Sequence, residues 1–160
     1  MVAQYTSTPT RSAAGITGRI ILTLAGAGGL IVGGLLDWWN GVVGTDLTDK
    51  VLYQTTFSTT DQFVRSIGAV SIALGVVAVI GLAGTSGWLT RLAGALGVVA
   101  FVLFAIQGYR ATSSLNTEWN RVDPGAWIAL AGGVVAVIGG FLGRPRVVTA
   151  PVQTVRDEDV

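Results

Sequence analysis

The chain has 160 residues, of which 51% are hydrophobic and only 12% are charged, and its mean hydropathy is +0.64. Soluble domains carry about 25% charged residues on average, so this composition indicates a membrane protein. The net charge of +1 excludes strong attraction to nucleic acid, and the absence of cysteine and histidine excludes disulfides, thiolate metal sites and histidine-based catalysis. We therefore expect neither a cofactor nor a metal.

Four apolar segments follow a polar start at residues 1–14. Each has about the 20 residues that an α-helix needs to cross roughly 30 Å of hydrocarbon. The predicted spans are residues 16–36, 64–83, 88–107 and 125–142. The sequence thus predicts an all-α fold, with a four-helix transmembrane domain over residues 15–143. Because no cleavage site follows the first segment, we expect it to be retained as an anchor.

The connections between the spans set their arrangement. Residues 84–87 form so short a turn that the second and third helices are expected to pack as an antiparallel hairpin. Asp123 followed by Pro124 predicts the start of the fourth helix, since aspartate favours the N-cap and proline the first helical position.

The basic residues predict that both termini are cytoplasmic. Placing the termini inside puts six of the ten basic residues on that side: Arg11, Arg19, Arg91, Arg144, Arg146 and Arg156. The other four lie outside: Lys50, Arg65, Arg110 and Arg121. An excess of arginine and lysine marks the cytoplasmic side. We expect a multi-pass protein of the plasma membrane, with a flexible cytoplasmic tail at residues 144–160.

All five tryptophans lie beside the ends of predicted spans: Trp38, Trp39, Trp88, Trp119 and Trp127. Amphipathic indole rings favour the boundary between lipid and water, so these residues are predicted to be interfacial anchors. For the adjacent pair Trp38 and Trp39, binding of a partner or a lipid is the alternative.

Small residues recur at helical spacing in the first and fourth spans. The candidate interface residues are Ala25, Gly29, Gly33, Gly125, Ala129, Gly133 and Gly140. Small side chains allow two helix backbones to approach closely in lipid. The pattern predicts packing among the four helices. A second stripe in the fourth span, at Gly132, Ala136 and Gly140, leaves docking of another membrane protein as the alternative.

The first outer loop, residues 37–60, is short and acidic. Its β-branched and aromatic stretch Val51–Phe57 predicts a short strand or a strip on the membrane surface. Asp46 and Asp49 are better explained by a solvated turn than by a metal site.

Within the spans, Thr23 is expected to donate to a carbonyl one turn back, and no acid or lysine lies mid-span, which argues against a proton or ion pathway. We expect no enzymatic activity.

The stretch "LLDWWNGVVGTD" at the end of the first span, the acidic outer loop and the Arg-Pro-Arg tail resemble small four-helix membrane proteins of actinobacteria. Among these, the chain resembles accessory subunits of mycobacterial lipid importers of the mammalian-cell-entry type. That resemblance implies an accessory or stabilising subunit of a larger envelope complex, with the bilayer and other membrane subunits as partners. The alternative is a self-assembling small transporter or channel for a hydrophobic substrate. The helix count also resembles that of claudins, whose paired cysteines are missing here.

Overall fold

The structure is a computed structural model that describes residues 7–10, 13–84, 86–112, 121–142 and 146–149. Within these residues the fold is mostly helical, as predicted. The helices are α1 (Ala13–Leu35), α2 (Ile67–Ile80), α3 (Trp88–Thr112) and α4 (Pro124–Phe141). The strands are β1 (Ser7–Thr10), β2 (Asp37–Trp39), β3 (Val42–Val43) and β4 (Arg146–Thr149).

Three of the helices are long and apolar enough to cross a membrane: Ile16–Leu35, Trp88–Ala111 and Pro124–Phe141. This finding is consistent with the predicted membrane class. The third predicted span also continues beyond its expected end at residue 107, because α3 runs on to Thr112.

The second helix is shorter than predicted. The α-helical part of the predicted span 64–83 has 14 residues, which at 1.5 Å per residue reach about 21 Å. It begins after Ser66, whose Oγ accepts a hydrogen bond from Ala69 N at 3.1 Å, and its C-cap is Gly81. A 3-10 helix, Phe63–Arg65, precedes it. A crossing at this position therefore needs either non-α-helical residues on each side of α2 or a bilayer that is thinner locally.

The helices form a ring in chain order, in which each helix is antiparallel to the next. α1 packs against α2 and α4, and α3 packs against the same two helices. A tight turn joins α2 to α3. Beside this turn, Thr90 Oγ1 of α3 donates to Ala78 O of α2 at 3.2 Å. We call the end of the bundle that holds this turn the turn end, and the opposite end the cap end.

Residues 36–66 fold over the cap end, and we call them the cap. Strands β2 and β3 pair as a hairpin whose two turn residues, Asn40 and Gly41, have φ values of 51° and 75°. Two residues with positive φ form the hairpin turn that Asn-Gly favours. The first outer loop thus contains β structure, but a strand at Val51–Phe57 is wrong, because Val51 lies in a 3-10 helix and the isolated bridges form at Leu47 and Thr48. The alternative for that stretch, a strip on the membrane surface, stays a prediction.

The terminal segments meet at the turn end. Strand β1 pairs antiparallel with β4, and Ser7 lies opposite Thr149. The sequence predicted a flexible tail at residues 144–160, whereas its residues 146–149 form this strand. Residues 150–160 lie outside the described part of the chain.

Candidate functional site

The candidate interface residues of α1 and α4 pack against each other within the chain. A Cβ at Gly33 would lie 2.5 Å from Ala129 N, and a Cβ at Gly29 would lie 2.7 Å from Gly132 Cα. Both distances are too short for a side chain, so the two backbones touch. The same interface includes Gly26 beside Ala136, and Gly139 beside Thr23. We call this surface the α1–α4 interface.

The small residues of α4 contact two neighbouring helices, α1 and α3. While Ala129 and Gly132 contact α1, a Cβ at Gly133 would lie 3.0 Å from Gly94 O of α3. Gly140 is also next to α3, beside Arg91. Gly125 instead approaches the end of α1, where its Cβ would lie 2.5 Å from Asp37 O. The second stripe is therefore divided between two helices of the same chain: Gly132 and Ala136 contact α1, and Gly140 contacts α3.

Ala25 is the one residue of the predicted interface that is exposed. It lies on the outward face of α1, three residues before Gly28, whose Cβ position has nothing within 4 Å. Docking of another protein through small residues stays a prediction.

Trp38 and Trp39 are buried, with 1% and 6% of their surface exposed. Trp38 meets Phe104 edge-on at 5.3 Å, and Trp39 stacks on Phe57 at 4.3 Å. The indole Nε1 of Trp38 donates to Gly33 O at 2.7 Å. The prediction that Trp38 and Trp39 are interfacial anchors needs correction, because rings enclosed in a protein core cannot present a face to lipid head groups. We call these aromatic residues, together with Phe101, the aromatic cluster.

The β2–β3 hairpin is fixed to the start of α4. Asp123 N donates to Trp38 O at 3.1 Å, and Asn40 N donates to Arg121 O at 3.1 Å. Asp123 is the N-cap of α4, as predicted, but its carboxylate accepts from Gly41 N at 2.7 Å rather than from the first turn of the helix. These bonds hold the tryptophan pair against the bundle.

The other tryptophans have different surroundings. Trp88 is 58% exposed at the first residue of α3. Trp127 is also exposed, and its ring lies 5.2 Å from that of Phe101. Trp119 lies outside the described residues. That Trp88 and Trp127 anchor the protein at a membrane interface stays a prediction.

A surface groove of about 510 Å³ lies on the cap. It is lined by Thr45, Asp46, Thr59, Thr60, Asp61 and Phe63. Of the acid pair considered from the sequence, only Asp46 lines it, while Asp49 Oδ1 is 3.5 Å from Thr48 Oγ1. The described residues contain no group of three potential ligands that could hold a metal ion. The groove therefore offers two carboxylates and hydroxyl groups, but no recognisable catalytic arrangement.

Arg19 is a buried link at the turn end that sequence reasoning missed. Its side chain is 8% exposed, and its Nη2 donates to Gly81 O at 3.0 Å and to Gly84 O at 2.6 Å. The guanidinium group thus ties α1 to the turn after α2. Its Nε has no partner among the described residues. Thr23 Oγ1, one turn further on, is also buried with no partner in the described part of the chain, so the carbonyl bond expected for it is wrong.

Comparison with known protein families, curated proteins and solved structures finds no match for this chain.

Proposed function

We propose that this protein is a non-catalytic, multi-pass subunit of the plasma membrane that assists or stabilises a larger envelope complex. The observation that carries the proposal is the close packing between the helices. Backbones touch along the α1–α4 interface, and the aromatic cluster packs at the cap end. With these residues committed to packing within the chain, the outer surfaces are the surfaces proposed to act.

The resemblance of the "LLDWWNGVVGTD" stretch, the acidic loop and the Arg-Pro-Arg tail to actinobacterial accessory subunits supports a role in envelope lipid transport. The excess of basic residues predicted on the cytoplasmic side supports an orientation with both termini inside the cell. In that orientation the cap faces outward, where it is accessible to extracytoplasmic subunits.

The outward face of α1 is the proposed contact with a neighbouring membrane subunit. Ala25 has a small side chain and Gly28 has none, so a second helix can approach the α1 backbone closely on this face. A lipid chain fills such a surface less closely than a matched helix does.

Affinity purification of the tagged full-length protein from its native membrane, in a mild detergent, tests the proposal. Stoichiometric recovery of a larger complex, identified by mass spectrometry and native gel, is the expected result. Recovery of this chain alone, as a defined oligomer, would reject the accessory role and favour the self-assembling transporter or channel.

A pair of matched variants locates the contact. Ala25→Phe enlarges the proposed docking face and is expected to reduce recovery of the complex severalfold. Ala95→Phe makes the same change at an exposed position of α3 and should leave recovery unchanged. Equal recovery with both variants would place the contact elsewhere. Gly29 and Gly33 are unsuitable for this test, because larger residues there separate α1 from α4.

A further inference from the structure

Two arginines from different helices meet at Gly87, the residue that precedes α3. Arg91 Nε donates to Gly87 O at 3.4 Å, and its Nη2 donates to Ser86 O at 3.3 Å. Arg19 Nε lies 3.6 Å from the position that a Cβ of Gly87 would occupy. Both arginine side chains therefore lie close to Gly87, at the turn end of the bundle.

No described acid neutralises this pair. The five described aspartates all lie at the cap end: Asp37, Asp46, Asp49, Asp61 and Asp123. The bonds of Arg19 go to neutral carbonyl groups, and its buried Nε has no partner among the described residues. Buried charges are normally paired, because removing a charge from water is costly. The arrangement thus has an excess of positive charge that an anion would balance.

The start of α3 adds to this positive field. The first backbone N–H groups of a helix have no partner within the helix, and the helix dipole is positive at this end. α3 has 25 residues and begins at Trp88, next to Gly87. Phosphate groups bind readily at such positions.

The surroundings favour a lipid as the source of the anion. The Arg91 guanidinium carbon lies 5.0 Å from the ring centre of Phe141, which is itself exposed. Trp88, which is three residues before Arg91 at the start of α3, is also exposed. Both rings belong to helices that can cross a membrane, so the arginines lie where the apolar surface of the bundle ends.

We infer that Arg19, Arg91 and the first turn of α3 bind the phosphate group of an anionic phospholipid. Arg91 contacts the phosphate at the rim of the apolar surface. Arg19, anchored to the turn after α2, supplies the second positive charge. Through this binding, the lipid composition of the membrane affects the junction of α1, α2 and α3. The inference does not depend on the proposed accessory role.

Quenching of Trp88 by brominated lipids tests this inference in the full-length protein. The protein is placed in nanodiscs of phosphatidylcholine that contain either brominated phosphatidylglycerol or, at the same fraction, brominated phosphatidylcholine. The signal of Trp88 is the difference from a Trp88→Phe variant. We expect stronger quenching by the glycerol lipid. Since each basic residue near a surface contributes about 1 kcal/mol, Arg91→Gln should lower this preference about fivefold.

Control variants separate a site from general attraction of charge. Arg65→Gln removes the same charge at the cap end and should leave the preference unchanged. Arg19→Gln is the second test variant, with helical content checked by circular dichroism. An unchanged preference in folded Arg91→Gln and Arg19→Gln would overturn the inference.

Two further outcomes identify other occupants of the site. Loss of the preference on addition of inorganic phosphate would show that the site takes free phosphate, which would overturn its assignment to a lipid. A stronger preference after neutralisation of Asp157, Glu158 and Asp159 would make the acidic end of the chain the occupant, with the same consequence. No effect of either change is the result expected for a lipid site.

Discussion

The hydrogen bond from the Trp38 indole to Gly33 O joins the cap to the last turns of α1. Replacing Trp38 with phenylalanine removes the donor and leaves a cavity beside Phe104. We expect the free energy of unfolding to fall by about 2 kcal/mol, the usual size of a lost buried bond and a partly filled cavity. Thermal unfolding in detergent, followed by near-ultraviolet circular dichroism, measures the change.

Trp88 provides the control for this prediction. The same substitution at Trp88, which is exposed, should change the free energy of unfolding by about 0.5 kcal/mol or less. Equal losses at both positions would mean that burial of Trp38 in the aromatic cluster contributes nothing specific.

The surroundings of single residues were the hardest feature to predict. Tryptophan after an apolar run fits a membrane interface and a protein core equally well, and composition does not separate the two. The deciding signal was Asn40-Gly41, which follows the pair directly and favours a tight hairpin that turns Trp38 and Trp39 back onto the bundle. Arg19 had no comparable signal, because its carbonyl partners are more than 60 residues away in sequence.

At the scale of the helices, contact between α1 and α4 depends on missing side chains. Gly33→Ala places a Cβ 2.5 Å from Ala129 N, so the two helices must move apart. We expect this single methyl group to lower the free energy of unfolding by about 2–3 kcal/mol, as overpacking does. Thermal unfolding in the same detergent gives the value.

Gly28→Ala is the matched control in the same helix. Nothing lies within 4 Å of the added Cβ, so this variant should be neutral, or more stable by about 0.5–1 kcal/mol because alanine favours the helix. If Gly33→Ala proved as harmless as Gly28→Ala, close backbone contact would not hold α1 to α4.

Hydropathy predicted that the helices exist, and local signals predicted the α2–α3 hairpin and the start of α4, but the ends of α2 and the helix that each face of α4 contacts were not predicted. A hydropathy window counts apolar residues whether or not they are helical, so it extended the second span across Ser66 and Gly81, where the α-helix begins and ends. Small-residue spacing identified the faces of α4 that pack, but spacing contains no information about which helix each face meets. Gly132 and Gly133 are adjacent in sequence, yet they face α1 and α3 respectively.

For the whole molecule, the cap end and the turn end differ in chemistry. The described acids, the hairpin and the aromatic cluster are all at the cap end, whereas Arg19 and Arg91 are at the turn end. Four crossings would place the cap and the α2–α3 turn on opposite sides of the membrane. Because α2 alone reaches about 21 Å, its crossing requires the residues on each side of it to enter the head-group region, or the bilayer to become thinner locally.

The lack of cysteine makes this arrangement directly measurable. Thr55→Cys places one thiol on the exposed cap, and Ser86→Cys places one in the exposed turn. With both termini cytoplasmic, a membrane-impermeant maleimide applied to intact cells should label Cys at position 55 and not at position 86. After the cells are permeabilised, both should react. Labelling of position 86 alone would reverse the orientation, and labelling of both in intact cells would show that α2 does not cross.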